Sequence, residues 1–167
     1  MPPNITEVVV SSMNHWAGDH AGNVFILSEA MTAIPPSFMS KAAGKLMRRD
    51  AIGVENDNVV ELLQVTKIGA LAFESTTVCA NVELVLGNNI EFGGVLNTTS
   101  GANYKCKVLR FKQTDTPNLR LAANANVPSG VKLWKADEII LEGETPNSDI
   151  YKFIETYFDY TTLTTTD

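Results

Sequence analysis

The clearest structural signal in the sequence is a regular alternation of apolar residues from Thr76 to Leu86. Every second side chain of this segment is apolar, at Val78, Ala80, Val82, Leu84 and Leu86. A period of two places one face of a β-strand against a core. The sequence Gly87-Asn88-Asn89 that follows is typical of a tight turn. We therefore expect residues 90–96 to return as the antiparallel hairpin partner of this strand.

Shorter apolar and β-branched runs recur along the chain and predict further strands. They lie at 5–10, 24–27, 58–66, 104–112, 131–134 and 138–141. The run at 58–66 fits a helical period as well, but its β-branched residues favour a strand. Within 104–112 the apolar positions change face, which predicts a β-bulge near Val108. The pair Gly93-Gly94 predicts a bulge or a close approach of two backbones.

Two segments carry helix signals. Ser37 precedes good helix formers and basic residues end the segment, which predicts a helix over 38–49. The sequence Pro146-Asn147-Ser148-Asp149 predicts the start of a second helix, over 149–158. This second helix is expected to turn Ile150, Phe153, Ile154 and Tyr157 inward. The polar stretch 113–130 is expected to be a loop.

These segments predict a mainly β protein, an antiparallel sandwich or barrel of about seven or eight strands with two helices. A length of 167 residues fits a single domain over residues 1–167. Residues 1–4 are expected to form an extended N-terminal arm, because proline disfavours a helix before it. The Thr-rich residues 159–167 are expected to form a polar C-terminal tail.

The composition argues against several classes of protein. A net charge of -6 and a pI of about 4.9 disfavour direct nucleic-acid binding. No apolar run reaches the roughly 18–20 residues of a transmembrane helix. The N-terminus lacks the pattern of a signal peptide, which predicts cytoplasmic synthesis and reduced cysteines. Charged residues make up 19% of the chain, below the roughly 25% of an average domain. The surface therefore has few charges to prevent association with other proteins.

The charge is unevenly distributed along the chain. Residues 137–167 carry eight acidic side chains and one lysine, and oppositely charged patches attract between copies. Aromatic residues near the C-terminus are further candidates for a docking surface. The candidate partner-binding residues are Lys41, Lys45, Arg48, Arg49, Tyr157, Phe158 and Tyr160. The expected partners are other copies of the chain or other structural subunits.

One cluster has the residue types of a chemical site, namely His15, Asp19 and His20 beside Trp16. Two imidazoles and a carboxylate suit a divalent metal, or a histidine base oriented by the carboxylate. A surface loop whose side chains cap turns accounts for the same residues, and the spacing is not that of a metal-binding helix. Motifs for phosphate loops, dinucleotide sites and serine nucleophiles are absent from the sequence. No catalytic residue, metal or cofactor is therefore predicted.

Low charge, Thr and Asn richness and the lack of a catalytic motif predict a structural self-assembling protein. A virion component, such as a capsid, tail or decoration subunit, is the leading example of this class. The strand edges and termini would then contact neighbouring copies by β-augmentation. Two alternatives stay open: a metal-binding or hydrolytic β-domain that uses His15, Asp19 and His20, and a carbohydrate- or ligand-binding β-sandwich that uses Trp16, Trp134 and loop asparagines.

Overall fold

The computed structural model describes residues 31–34, 36, 58–73, 79, 81–96 and 106–167, and the backbone of three further strands. The strands are β1 (Thr6–Val10), β2 (Asn23–Leu27), β3 (Ala33–Ile34), β4 (Lys45–Leu46), β5 (Val59–Leu62), β6 (Lys67–Ile68), β7 (Glu83–Gly87), β8 (Asn89–Gly94), β9 (Cys106–Lys112), β10 (Asn118–Asn126), β11 (Trp134–Glu142) and β12 (Phe158–Thr166). Backbone alone is described for β1, β2 and β4. One helix, α1 (Asp149–Tyr157), lies between β11 and β12.

The strands form three sheets, and every pairing in the described part of the chain is parallel. The strand orders are β1-β2-β4, β10-β8-β6-β3 and β12-β11-β9-β7-β5. From β5 to β11 the chain alternates between the five-stranded and the four-stranded sheet, so that each coil adds one strand to both. This architecture is a β-solenoid, in which each coil stacks on the one before it.

The predicted antiparallel sandwich or barrel is therefore wrong, although the chain is mainly β. The prediction fails at the turn after β7. Asn88 alone separates β7 from β8, yet the two strands belong to different sheets. A two-residue hairpin of type I′ needs a positive φ at both central residues, and neither Asn88 nor Asn89 has one. The chain turns a corner at Asn88 instead of folding back on itself.

Asn88 ties this corner to the next coil. Its Oδ1 accepts hydrogen bonds from the backbone N–H of Thr114 at 2.9 Å and from the Thr114 hydroxyl at 2.6 Å. Its backbone N–H donates to the carbonyl of Lys112, and its own carbonyl accepts from the N–H of Asn118. Buried polar groups need such partners. An asparagine therefore suits a buried corner that must be held to the following coil.

A second column of backbone hydrogen bonds joins the coils at another corner. The N–H of Phe73 donates to the carbonyl of Leu96, whose N–H donates to the carbonyl of Leu133. The N–H of Leu133 in turn donates to the carbonyl of Tyr157. The ring of Phe73 stacks on the indole of Trp134, with centroids 4.9 Å apart. This corner is therefore held by its backbone and packed by aromatic rings.

The β-bulge predicted near Val108 is confirmed. The N–H groups of Lys107 and Val108 both point to the carbonyl of Val82, at 3.1 and 3.3 Å. The buried face of β9 accordingly changes phase between Cys106 and Leu109. Two residues facing one partner is the defining feature of a bulge.

Gly93 and Gly94 bring two coils into close contact. A Cβ at Gly93 would lie 3.1 Å from the backbone nitrogen of Ala70, in the preceding coil. Gly94 has a φ of 151°, which L residues rarely adopt. The close backbone approach predicted for this glycine pair is confirmed.

Apolar side chains fill the interior of the solenoid, and phenylalanine rings from different coils meet within it. Phe158 from β12 lies edge-on to Phe92, at 5.7 Å between centroids, and to Phe111, at 6.2 Å. Phe153 from α1 stacks on Phe92 at 5.8 Å. The last helix and the last strand are thus anchored to the same aromatic cluster as the preceding coils.

The C-terminal helix lies where the sequence predicts it. Ser148 is its N-cap, and the Ser148 hydroxyl accepts a hydrogen bond from the N–H of Tyr151 at 3.2 Å. The strand favoured within residues 58–66 is present as β5. The helix predicted over 38–49 is not continuous, because residues 45 and 46 form β4. The rest of that segment lies outside the described residues.

Two polar segments form strands instead of a loop and a tail. The predicted loop at 113–130 contains the nine residues of β10. The predicted tail at 159–167 contains most of β12, which pairs with β11 of the same chain. The two short strands expected at 131–134 and 138–141 are replaced by one strand, β11. The predicted N-terminal arm at 1–4 lies outside the described residues.

Candidate functional site: the free edge of the last coil

The predicted metal or catalytic cluster of His15, Asp19 and His20 lies outside the described residues. These are the chain's only histidines. Among residues 31–34, 36, 58–73, 79, 81–96 and 106–167, no three His, Cys, Asp or Glu side chains are grouped as a metal site requires. The described part of the chain therefore supplies no metal centre.

Most of the predicted basic patch also lies outside the described residues, at Lys41, Arg48 and Arg49. Lys45 belongs to β4, of which the backbone is described. The predicted aromatic docking residues are largely part of the interior. Phe158 is buried, and Tyr157 and Tyr160 are half-buried against the core. Phe158 is thus unavailable to a partner.

The two cysteines are free thiols buried in the core. Burial raises the pKa of the Cys79 thiol to about 12. Burial, together with the neighbouring Cys79 and Asp137, raises the pKa of Cys106 well above its usual value. A buried neutral thiol is a poor nucleophile and a poor metal ligand. Both side chains therefore act as small apolar core residues.

A groove of about 330 Å³ lies where α1 begins, beside the start of β10. It is lined by Pro117, Asn118, Leu119, Glu144, Asp149 and Ile150. Its two carboxylates come from Glu144 and Asp149, and its lining contains no histidine, cysteine or hydroxyl side chain. Two carboxylates without a third His, Cys, Asp or Glu side chain are too few for a metal site in this groove.

The outer face of the five-stranded sheet carries a small ion network around Arg110. The Arg110 guanidinium contacts Glu142 at 3.1 Å and Glu83 at 3.5 Å, and all three side chains are about a quarter exposed. The strand register places Arg110 between Val85 and Ile140, which are both buried. The network links three neighbouring strands, β7, β9 and β11. In the described part of this sheet, Lys135 and Asp159 form a further ion pair.

Replacing Arg110 with alanine should lower the free energy of unfolding by about 1 kcal/mol, the upper range for partly exposed ion pairs. The loss should shrink at high salt, because salt screens these pairs. Urea denaturation at low and high salt measures both effects. Arg110→Lys is the control, since it keeps the charge and should retain part of the stability. Equal stability of Arg110→Ala and the parent chain at low salt would contradict this role.

The most distinctive surface in the described structure is the outer edge of β12. This strand ends the five-stranded sheet and pairs with β11 on one side through eight residue pairs. The carbonyl of Thr166 accepts a hydrogen bond from the N–H of Gly143, just after β11. Because backbone groups alternate in direction along a strand, those of Leu163 and Thr165 point to the opposite edge. Within the described residues, that edge is unpaired, and we call it the free edge.

Among the residues that the structure describes, the free edge has few of the usual protections against pairing. Proteins blunt exposed strand edges with charges, proline, short strands or a covering segment. Asp159 is the single charge in β12, and the strand contains no proline. Five of its nine residues are threonine, which has a high strand propensity.

The helix covers another part of this end of the molecule. α1 takes the place of a four-stranded-sheet strand in the last coil and contacts both β10 and β12. Burial, with Glu155 and Tyr151 of α1 close by, raises the pKa of Tyr160. Tyr160, at the start of β12, therefore lies close to α1.

The described part of the chain has no helix long and apolar enough to cross a membrane. Comparisons of the chain with protein-family models, with curated proteins and with solved structures find no match. The chemistry of its own surfaces is therefore the basis on which a function can be assigned.

Proposed function

We propose that this chain is a structural protein that self-associates through the free edge of β12. The observation that carries the proposal is a nine-residue strand with one charge at the end of a parallel sheet. The backbone N–H and C=O groups of Leu163 and Thr165 in this strand point to its unpaired side. A row of unpaired backbone donors and acceptors is a template for another strand.

The side chains around this edge support the same function. The exposed or half-exposed residues of β12 are mainly threonines, which remain hydrated in a monomer and pack well between strands. Inward from them, Phe158 anchors the strand to the aromatic cluster. A firmly anchored edge strand presents its backbone in one fixed geometry, which reduces the entropy lost when a partner strand binds.

A second copy of the chain is the partner that this edge fits best. β12 itself carries one charged residue, Asp159, so the strand has little charge of its own to oppose pairing with a second copy. The described residues hold no group of three His, Cys, Asp or Glu side chains that would favour a metal site instead. Self-association through paired strands needs neither a cofactor nor a metal.

The two alternative functions receive less support. Trp134 is buried and stacks on Phe73, so its ring is not available to stack on a sugar. The β-sandwich expected for a carbohydrate-binding protein is not the fold, and a virion origin has no observation in its favour. The metal-binding alternative depends on His15, Asp19 and His20, outside the described residues.

A charge placed on the free edge should separate the copies. Thr164→Lys puts an ammonium group in the middle of the edge strand, and like charges on opposed strands repel. We expect the dissociation constant measured by light scattering over a concentration series to rise at least tenfold, about 1.4 kcal/mol.

The matched control is Asn81→Lys, which adds the same charge at an exposed turn before β7. This variant should associate like the parent chain. A parent chain that stays at its monomer mass of 18.2 kDa up to millimolar concentration would refute self-association. Equal weakening by both variants would show that the effect is not specific to the β12 edge.

A further inference from the structure

We infer that two copies pair their β12 strands antiparallel across a two-fold axis at Thr164, which closes the free edge into a dimer. The inference rests on the proposed function, self-association through this edge, and adds the partner strand and its register.

Backbone direction selects the register. Leu163 and Thr165 point their N–H and C=O groups to the free edge, because Thr166 points its carbonyl to Gly143 on the β11 side. In an antiparallel pair, residues that both face the partner exchange two hydrogen bonds. A two-fold axis at Thr164 places Leu163 opposite Thr165 of the second copy, and the reverse. The two copies then form about four backbone hydrogen bonds.

The side chains of residues 162–166 are compatible with this self-pairing. Thr162 faces Thr166 of the second copy, and Thr164 faces its own equivalent. Leu163 and Thr165, half-buried on the inner side, meet across the edge and continue the interior of one solenoid into the other. Threonine pairs are favourable across strands, and no charged residue stands opposite another within this overlap.

Charge also predicts how salt affects the dimer. The two-fold arrangement brings two C-terminal segments together, and residues 137–167 are strongly acidic. Their repulsion weakens when salt screens it. The dimer should therefore tighten as ionic strength rises. A head-to-tail contact between this acidic end and the basic residues at 41–49 of another copy would instead weaken as ionic strength rises, because salt screens the attraction between opposite charges.

Cysteine cross-linking tests the register directly. In an antiparallel pair without mutual hydrogen bonds, opposed Cα atoms lie about 4.5 Å apart, within disulfide range. Thr164→Cys should therefore form a covalent dimer under mild oxidation, read on a non-reducing gel. Thr162→Cys is the matched control, since the two cysteines would lie about 14 Å apart along the strands. The native thiols are buried and give little background.

The outcomes separate this inference from the proposed function. At least tenfold more cross-linked dimer for Thr164→Cys than for Thr162→Cys supports the two-fold register. Association in solution without preferential cross-linking at residue 164, or with a dimer that weakens in salt, overturns the register but leaves self-association intact. A parent chain that is monomeric by light scattering overturns both.

Discussion

Replacing Phe158 with alanine will lower the free energy of unfolding by about 3–5 kcal/mol, the range for large buried aromatic residues. Phe158 is 2% exposed and contacts Phe92, Phe111 and Phe153 from three other elements. Its removal leaves a cavity that these rings cannot fill without leaving their own positions. A loss of this size is a large fraction of the stability of an ordinary domain.

Urea or guanidinium denaturation measures the effect. Phe158→Leu is the control, because it keeps most of the apolar volume and should cost clearly less than alanine. Val131→Ala, at a position 43% exposed, should change stability by less than about 0.5 kcal/mol. A Phe158→Ala loss no greater than that of Val131→Ala would contradict the packing of β12 against the aromatic cluster.

Alkaline pH will destabilise the fold through its two buried thiols. In the native state the pKa of Cys79 is raised to about 12 by burial, and that of Cys106 is raised by burial and by Cys79. In the unfolded chain both thiols ionise near pH 8.5. The native state therefore holds protons that the unfolded state loses, so stability is fully present below that pH and falls as pH rises towards 12. Between these two pH values, each such thiol lowers the free energy of unfolding by up to about 1.4 kcal/mol per pH unit.

Denaturation midpoints between pH 7 and pH 11 measure this slope. The double variant Cys79→Ala and Cys106→Ala should be less stable at pH 7 but have a flatter pH dependence than the parent chain. A thiol reagent should react with both cysteines after unfolding and with neither in the native state. An unchanged alkaline slope in the double variant would assign the destabilisation to other groups.

Two local features of the sequence predict local structure correctly. The Ser148 cap and the apolar spacing of residues 150–157 locate α1. The change of apolar face in β9 locates the bulge at Val108. In both cases the determining interactions lie within a few residues along the chain, so the sequence pattern alone expresses them.

The coil architecture is less visible, because it depends on contacts between distant residues. Equivalent positions of the five-stranded sheet are 24, 25, 30 and 24 residues apart, at Val59, Glu83, Val108, Glu138 and Thr162. Unequal coils with dissimilar residues leave no fixed period to detect. Asn88 illustrates the same point, since its role at the corner depends on Thr114 in the next coil.

The free edge of β12 is not predicted from the sequence, because it too depends on contacts between distant residues. Residues 159–167 are predicted as a polar tail, because the contacts that stabilise this segment come from β11 and from one anchor, Phe158. Their high content of threonine was the available signal, and it predicts strand propensity without predicting the partner. That these residues form a sheet edge follows from the order of the strands, which the sequence does not express.

The stacking of coil on coil determines how the molecule responds to mechanical force. Each strand of the five-stranded sheet pairs only with the strands of the coils next to it. Tension applied at Asp167 first loads the pair formed by Glu142 and Thr166, and then peels β12 from β11 towards Phe158. β9 carries load only after β11 has begun to detach. Extension from the C-terminus therefore proceeds as successive unravelling steps of one coil each, with a force-extension trace of repeated small steps instead of one rupture.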